Sequence, residues 1–199
     1  MFRWLMRTRR RAAPRATLLA LALLGLLLAA SPAPAEVRIG DLSVFFNDYD
    51  VTVQVVLLGA IPETMHEGIQ TGFATHVRYY VELWQYTPWG VDRRLQARTV
   101  ERQLTYNVLT KEYKVVSLGG EQREPFLTKE LREAQRVVSE LRADKLAPAT
   151  SLDPKALYYV RVRSDVSLGG VNTWFARATG DAEETPWVQS SYLTPTRSQ

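Results

Sequence analysis

A chain of 199 residues is long enough for one domain with a sizeable core. It contains no cysteine, which excludes disulfides, thiol catalysis and a cysteine-linked lipid anchor. The formal charge of +4 is no argument for a nucleic-acid partner, because six of the 25 basic residues are arginines within residues 1–35 and removing them leaves 19 against 21 acidic ones.

Residues 1–35 are expected to be an export signal. Arg3, Arg7, Arg9, Arg10, Arg11 and Arg15 precede the apolar run Leu18–Ala30, and Ser31-Pro32-Ala33-Pro34-Ala35 follows. The run is 13 residues, short of the roughly 20 that cross a bilayer. Ala33 and Ala35 fit a small-residue cleavage site, so cleavage between Ala35 and Glu36 is expected. The alternative is an uncleaved N-terminal anchor. Thr8-Arg9-Arg10 hints at twin-arginine export, but the residues that follow lack the apolar continuation, so a Sec-type signal is expected.

Residues 36–193 then read as one β-rich domain, with 194–199 as a loose tail. Glu36–Phe46 and Val51–Gly59 form an expected hairpin: Val51, Val53, Val55 and Leu57 recur every second residue, and Asn47-Asp48-Tyr49-Asp50 supplies turn chemistry. In Ile61–Phe73 the period changes, Ile61, Met65, Ile69 and Phe73 being four apart, with Pro62 suited to a first helical turn and Gly72 to the end. Thr75–Tyr86 is the longest alternating stretch. Its odd positions Val77, Tyr79, Val81 and Leu83 are apolar, while His76, Arg78, Tyr80, Glu82, Trp84 and Tyr86 mix charge with aromatic rings.

Leu95–Leu109 is expected to return beside it, with Val100, Leu104, Tyr106 and Val108 on one parity, and Tyr113–Leu118 to continue an antiparallel meander. Leu127, Leu131, Ala134, Val138 and Leu141 make an amphipathic helical stripe, with Thr128 as a candidate cap. Leu152-Asp153-Pro154 and Tyr158, ahead of alternating Tyr158, Val160 and Val162, resemble the corner of fibronectin-type-III sandwiches, in which a Tyr hydroxyl bonds back to upstream backbone. Ser117-Leu118-Gly119-Gly120 and Ser167-Leu168-Gly169-Gly170 read as two similar turns. Val171–Ala178 and Trp187–Leu193 are expected to be further strands.

Catalytic signatures are scarce. There is no Gly-rich phosphate loop, nucleophile elbow or metalloprotease motif. His66 and His76 are ten residues apart across a helix-to-strand break, no ligand spacing, so neither a metal nor another cofactor is expected and no residue is named as catalytic. Asp48 and Asp50 flank a turn, and Glu183-Glu184 lies in a polar loop, places where solvation accounts for them. The aromatic–charged face of Thr75–Tyr86 is the one positive signal, because aromatics with Arg are favoured at interfaces. Arg78, Tyr80, Glu82, Trp84 and Tyr86 are therefore the candidate partner-binding residues, in competition with cover of part of that face by the Leu127–Leu141 helix.

The order of these elements, and above all Leu104–Tyr113 (L-T-Y-N-V-L-T-K-E-Y), resembles the exported bacterial proteins grouped as domain of unknown function 4390, over roughly Glu36 to Leu193. The resemblance implies a signal peptide and one β-rich domain with no established activity, and a membrane sensor kinase as a candidate partner, since such a kinase is often encoded beside members.

The expectation is thus an antiparallel, immunoglobulin-like β-sandwich covered by two α-helices, in the periplasm of a Gram-negative bacterium, with no nucleic-acid partner and no stable membrane anchor after signal cleavage. The expected role is a non-enzymatic binding module meeting an envelope protein or sensor kinase. A carboxylate-based hydrolase would need converging carboxylates, or one beside His66 or His76. A small-ligand or lipid carrier would need an apolar cavity between the sheets.

Overall fold

The computed structural model describes residues 36–46 and 49–195, leaving aside the side chains of residues 143 and 144. The expected signal segment with Ala35, the turn residues Asn47 and Asp48, and the last four residues of the tail lie outside the described residues. No helix among the described residues is long and apolar enough to cross a membrane.

The architecture is mainly β, in two antiparallel sheets. Strands β1 (Arg38–Phe46) and β2 (Asp50–Leu58) pair as the expected hairpin. A third strand, β7 (Glu140–Pro148), joins the free edge of β2. The larger sheet is built around β3 (Thr75–Gln85), which pairs along its length with β4 (Arg93–Asn107) on one side and β8 (Tyr158–Leu168) on the other. Beyond β4 lie β5 (Glu112–Gly119) and β6 (Phe126–Thr128). The outer edge of β8 is covered in two pieces, by β9 (Ala182–Glu184) at one end and β10 (Val188–Gln189) at the other. Covering an edge in this way removes a row of unpaired backbone groups.

The two layers meet over β3. β1 contacts β8, and β7 contacts β4. Val51, Val53, Val55 and Leu57 from the small sheet join Val77, Tyr79, Val81 and Leu83 of β3 and Val160, Val162 and Val166 of β8 in one buried cluster. Each such side chain contributes on the order of 1.5–3 kcal/mol by leaving water. The strict alternation of β3 between buried and half-buried residues follows from one side facing this layer.

Three short helices complete the described fold. α1 (His66–Gln70) follows a single 3-10 turn and buries Ile69. α2 (Leu131–Ser139) is shorter than the expected helix and has Ala134, Val137 and Val138 as its buried stripe. Leu127 lies in β6 instead, and Leu141 is buried within β7. The Thr128 hydroxyl still serves the helix entry, accepting from the Glu130 N–H at 3.2 Å and donating to Glu133 at 2.7 Å. α3 (Trp174–Thr179) corrects the expected strand Val171–Ala178. Thr173 accepts from the Ala176 N–H at 3.1 Å as its N-cap, and Gly180 takes the left-handed φ of 82° that ends it. The expected strand Trp187–Leu193 is reduced to β10 and one bridge at Leu193.

The corner before β8 forms as expected of a tyrosine there: the Tyr158 hydroxyl accepts from the Asp153 N–H at 2.8 Å. α2 corrects a further expectation. It contacts β5, β6, β4 and β2, on the same side of the large sheet as the small one, and leaves the even-numbered face of β3 alone. It fills the second layer beside β7, where β5 and β6 have no strand opposite them.

Candidate functional site

The even-numbered residues of β3 share the outer face of the large sheet with the matching parity of its neighbours. Register places Arg78 between Glu101 and Asp165, Tyr80 between Thr99 and Arg163, Glu82 between Ala97 and Arg161, and Trp84 between Arg94 and Tyr159. Two groupings result, one of charge and one of rings.

The charged grouping sits at the start of β3. Arg78 donates through Nε to Glu101 at 3.1 Å, through Nη1 to Asp165 at 3.4 Å and through Nη2 to the Gly170 carbonyl at 2.8 Å. His76 Nδ1 lies 2.8 Å from Glu101 Oε1, and its Nε2 lies 3.1 Å from the Gln103 amide. The Tyr80 hydroxyl donates to Asp165 at 3.0 Å. Burial alone would raise the Glu101 carboxyl, but the hydrogen bonds and charge of His76 and Arg78 bring it below the usual carboxylate range. Burial alone would lower Arg78, and Asp165 with Glu101 outweighs it and raises it. The Tyr80 phenol is pushed up to about 12, first by burial and then by Asp165.

His76 beside Glu101 is the kind of pair a hydrolase would use. Both ring nitrogens face groups of this chain, however, and Gly170 crosses so close above the ring that a β-carbon there would lie 3.1 Å from Nε2. The pair is oriented by, and closed within, its own network. Among the described residues no three His, Asp or Glu side chains converge as a metal would require.

The ring grouping occupies the other half of the face. The Arg163 guanidinium lies 4.8 Å from the Tyr80 ring and 5.1 Å from that of Trp187, and Arg161 lies 5.0 Å from Trp187 and 5.7 Å from Trp84. The order Tyr80–Arg163–Trp187–Arg161–Trp84 thus alternates cation and ring. Trp84 stacks on Tyr159 at 6.4 Å, and Tyr159 and Tyr86 both meet Tyr192, at 5.7 and 5.0 Å. Polar atoms fix the ring planes: Trp84 Nε1 donates to Glu82 at 2.9 Å, Arg94 donates to the same carboxylate at 2.9 Å, and the Tyr159 hydroxyl donates to Asp92 at 2.8 Å. That contact and burial, burial first, push the Tyr159 phenol up to about 12.

All five expected residues therefore lie on or beside this face. Arg78, Tyr80, Glu82 and Trp84 are on β3 itself, and Tyr86 follows it, held by its N–H to the Leu157 carbonyl at 2.9 Å. Glu36, the other expected site residue among those described, is exposed and precedes β1. The sequence reading missed Tyr159, Arg161, Arg163 and Asp165, which share one parity of β8, and Trp187 and Tyr192, which arrive from the C-terminal segment.

Fold and face together define a β-rich protein of two antiparallel sheets with an arginine–aromatic array on the outer side of the larger one. The chain belongs to the family described as Domain of unknown function (DUF4390), whose model matches residues 35–181. No curated protein and no solved structure matches it.

Proposed function

We propose that the protein is a non-enzymatic interaction module of the bacterial cell envelope, exported by residues 1–35, that meets a protein partner through the outer face of its large sheet. The observation that carries this reading is the alternating Tyr80–Arg163–Trp187–Arg161–Trp84 array. Trp, Tyr and Arg dominate the energetics of protein interfaces, and here their planes are held before any partner arrives, which lowers the ordering cost of binding. The two-layer fold is taken as immunoglobulin-like, supported by the Tyr158 corner and by three strands stacked over β8, β3 and β4.

Export is supported by the arginine-rich start and the 13-residue apolar run of the sequence. The candidate partner is the outward-facing part of a membrane sensor kinase. Crosslinking pull-down from envelope extracts, run in parallel with the wild type and a Trp84→Ala/Trp187→Ala variant, tests the face. The expected result is one partner retained by the wild type and lost by the variant. Equal recovery by both would remove the face from the proposal, and N-terminal sequencing that returned Met1 would remove signal cleavage.

A further inference from the structure

A second site lies on the other side of the molecule, where α2 ends. A cleft of about 350 Å³ is bounded there by the β5–β6 loop, the last turn of α2 and the start of β7. Its floor is the Arg102–Glu121 pair, with Nε donating to Oε1 at 2.5 Å and Nη2 to Oε2 at 2.8 Å. Arg102 is 1% exposed, and its Nη1 also donates to the Val137 and Glu140 carbonyls at 2.7 Å each. The negative end of α2 and the Glu121 carboxylate are thus already neutralised by one guanidinium from below.

Three further arginines stand around that floor: Arg123, Arg136 and Arg142. Arg142 is paired with Glu140. Arg123 and Arg136 are exposed, and neither side chain has a carboxylate or carbonyl partner among the described residues. Four arginines against two glutamates leave the cleft with a surplus of two positive charges, carried by the two arginines that are free. Phe126 and Val137 add an apolar wall beside them.

We infer that this cleft binds a small organic anion, its carboxylate or phosphate head between Arg123 and Arg136 and its apolar body against Phe126 and Val137. Guanidinium pairs suit both heads, because each presents oxygens to a planar fork of N–H donors. The volume fits a small ligand. The Arg102–Glu121 floor is the positioning element: it fixes the β5–β6 loop, and so Arg123, against the end of α2.

Isothermal titration calorimetry on the full-length protein tests this with four probes: phenyl phosphate, benzoate, inorganic phosphate and benzyl alcohol. Saturable binding of phenyl phosphate or benzoate is expected, tighter than that of inorganic phosphate and absent for benzyl alcohol; the tighter of the two aryl anions identifies the head. An Arg123→Gln/Arg136→Gln variant is expected to weaken that binding by about ten-fold or more, and Arg123→Lys/Arg136→Lys, which keeps the charge but not the fork, to weaken it by less. For the wild type alone, added salt is expected to weaken the aryl anions progressively. No saturable binding of either aryl anion, equal affinity in the Gln variant, or equal binding of benzyl alcohol overturns the inference.

Discussion

Replacing Arg102 by Met keeps much of the side-chain volume and removes every donor beneath α2. The Val137 and Glu140 carbonyls and the Glu121 carboxylate all lose the guanidinium that serves them at 2.5–2.8 Å. An orphaned buried acceptor costs about 1–3 kcal/mol, and breaking a buried ion pair from one side about 3–5 kcal/mol. Glu121 is 17% exposed and recovers some hydration, so the lower part of that range is expected. At ~2–4 °C per kcal/mol for a domain of this size, the melting temperature is expected to fall by roughly 6–12 °C. Thermal unfolding followed by tryptophan fluorescence gives the melting temperature, and urea denaturation gives the free-energy difference. The double variant Arg102→Met/Glu121→Leu is expected to regain part of the loss, since it removes the stranded carboxylate but leaves the two carbonyls. A single variant within about 1 kcal/mol of the wild type would refute the view that Arg102 holds the helix end.

Two further predictions concern the backbone and the charged grouping. A β-carbon on Gly120, whose φ is +82°, would lie 2.2 Å from the Thr99 carbonyl oxygen, so Gly120→Ala is expected to lower the unfolding free energy from urea titration by at least the ~1–2 kcal/mol of a left-handed non-glycine residue. Glu101 is held below its ordinary range in the folded state, so the unfolded chain binds more protons as the carboxyl titrates. Its contribution is therefore present above the unfolded carboxylate pKa and lost as pH falls through the folded one. Glu101→Gln is expected to flatten the acid limb of stability, at pH values at and below the ordinary carboxylate range, measured by urea midpoints; an unchanged limb would refute the coupling to His76 and Arg78.

The meander was legible because β3 alternates along nearly its whole length and β4 from Val100 onward, the β3–β4 and β4–β5 ladders having one register shift each, at Leu83/Trp84 and Glu101/Arg102. β7 was not, because its partner β2 meets it through two register shifts, at Val51/Thr52 and Val53/Val55, and those break the period in E-L-R-A-D-K-L-A-P. α3 was hidden by Val171, Trp174 and Phe175, all strand formers, although Thr173 and Gly180 carried its two caps. The outer face was half legible: β3 shows its own residues, but Tyr159, Arg161, Arg163 and Asp165 join them only through the β3–β8 pairing, which no local pattern encodes. Arg102 escaped notice because it lies on the apolar parity of β4, between Val100 and Leu104, where period two predicts an aliphatic residue.

The two faces of β3 obey the same period and end in different chemistry, and the difference separates the candidate residues by role. Inward, Tyr79 is fully buried, so its hydroxyl has to be satisfied within the protein, and it donates to the Val138 carbonyl at 2.6 Å. Outward, the Arg78 donors are almost as fully engaged: Glu101, Asp165 and the Gly170 carbonyl occupy them, and the same Asp165 takes the Tyr80 hydroxyl. A partner gains little from groups whose hydrogen bonds are already made, because displacing them costs about what the new contact returns. The rings differ. Trp187 and Tyr192 have no side-chain hydrogen bond among the described residues, Trp84 has one, from Nε1 to Glu82, that leaves its ring faces out of it, and Tyr192 is 51% exposed. The charged grouping near Thr75 is therefore the frame that holds β3, β4 and β8 in register at the surface. The contact energy of the proposed interface belongs to the aromatic half, which the sequence marked by Tyr80, Trp84 and Tyr86 but not by Tyr159, Trp187 or Tyr192.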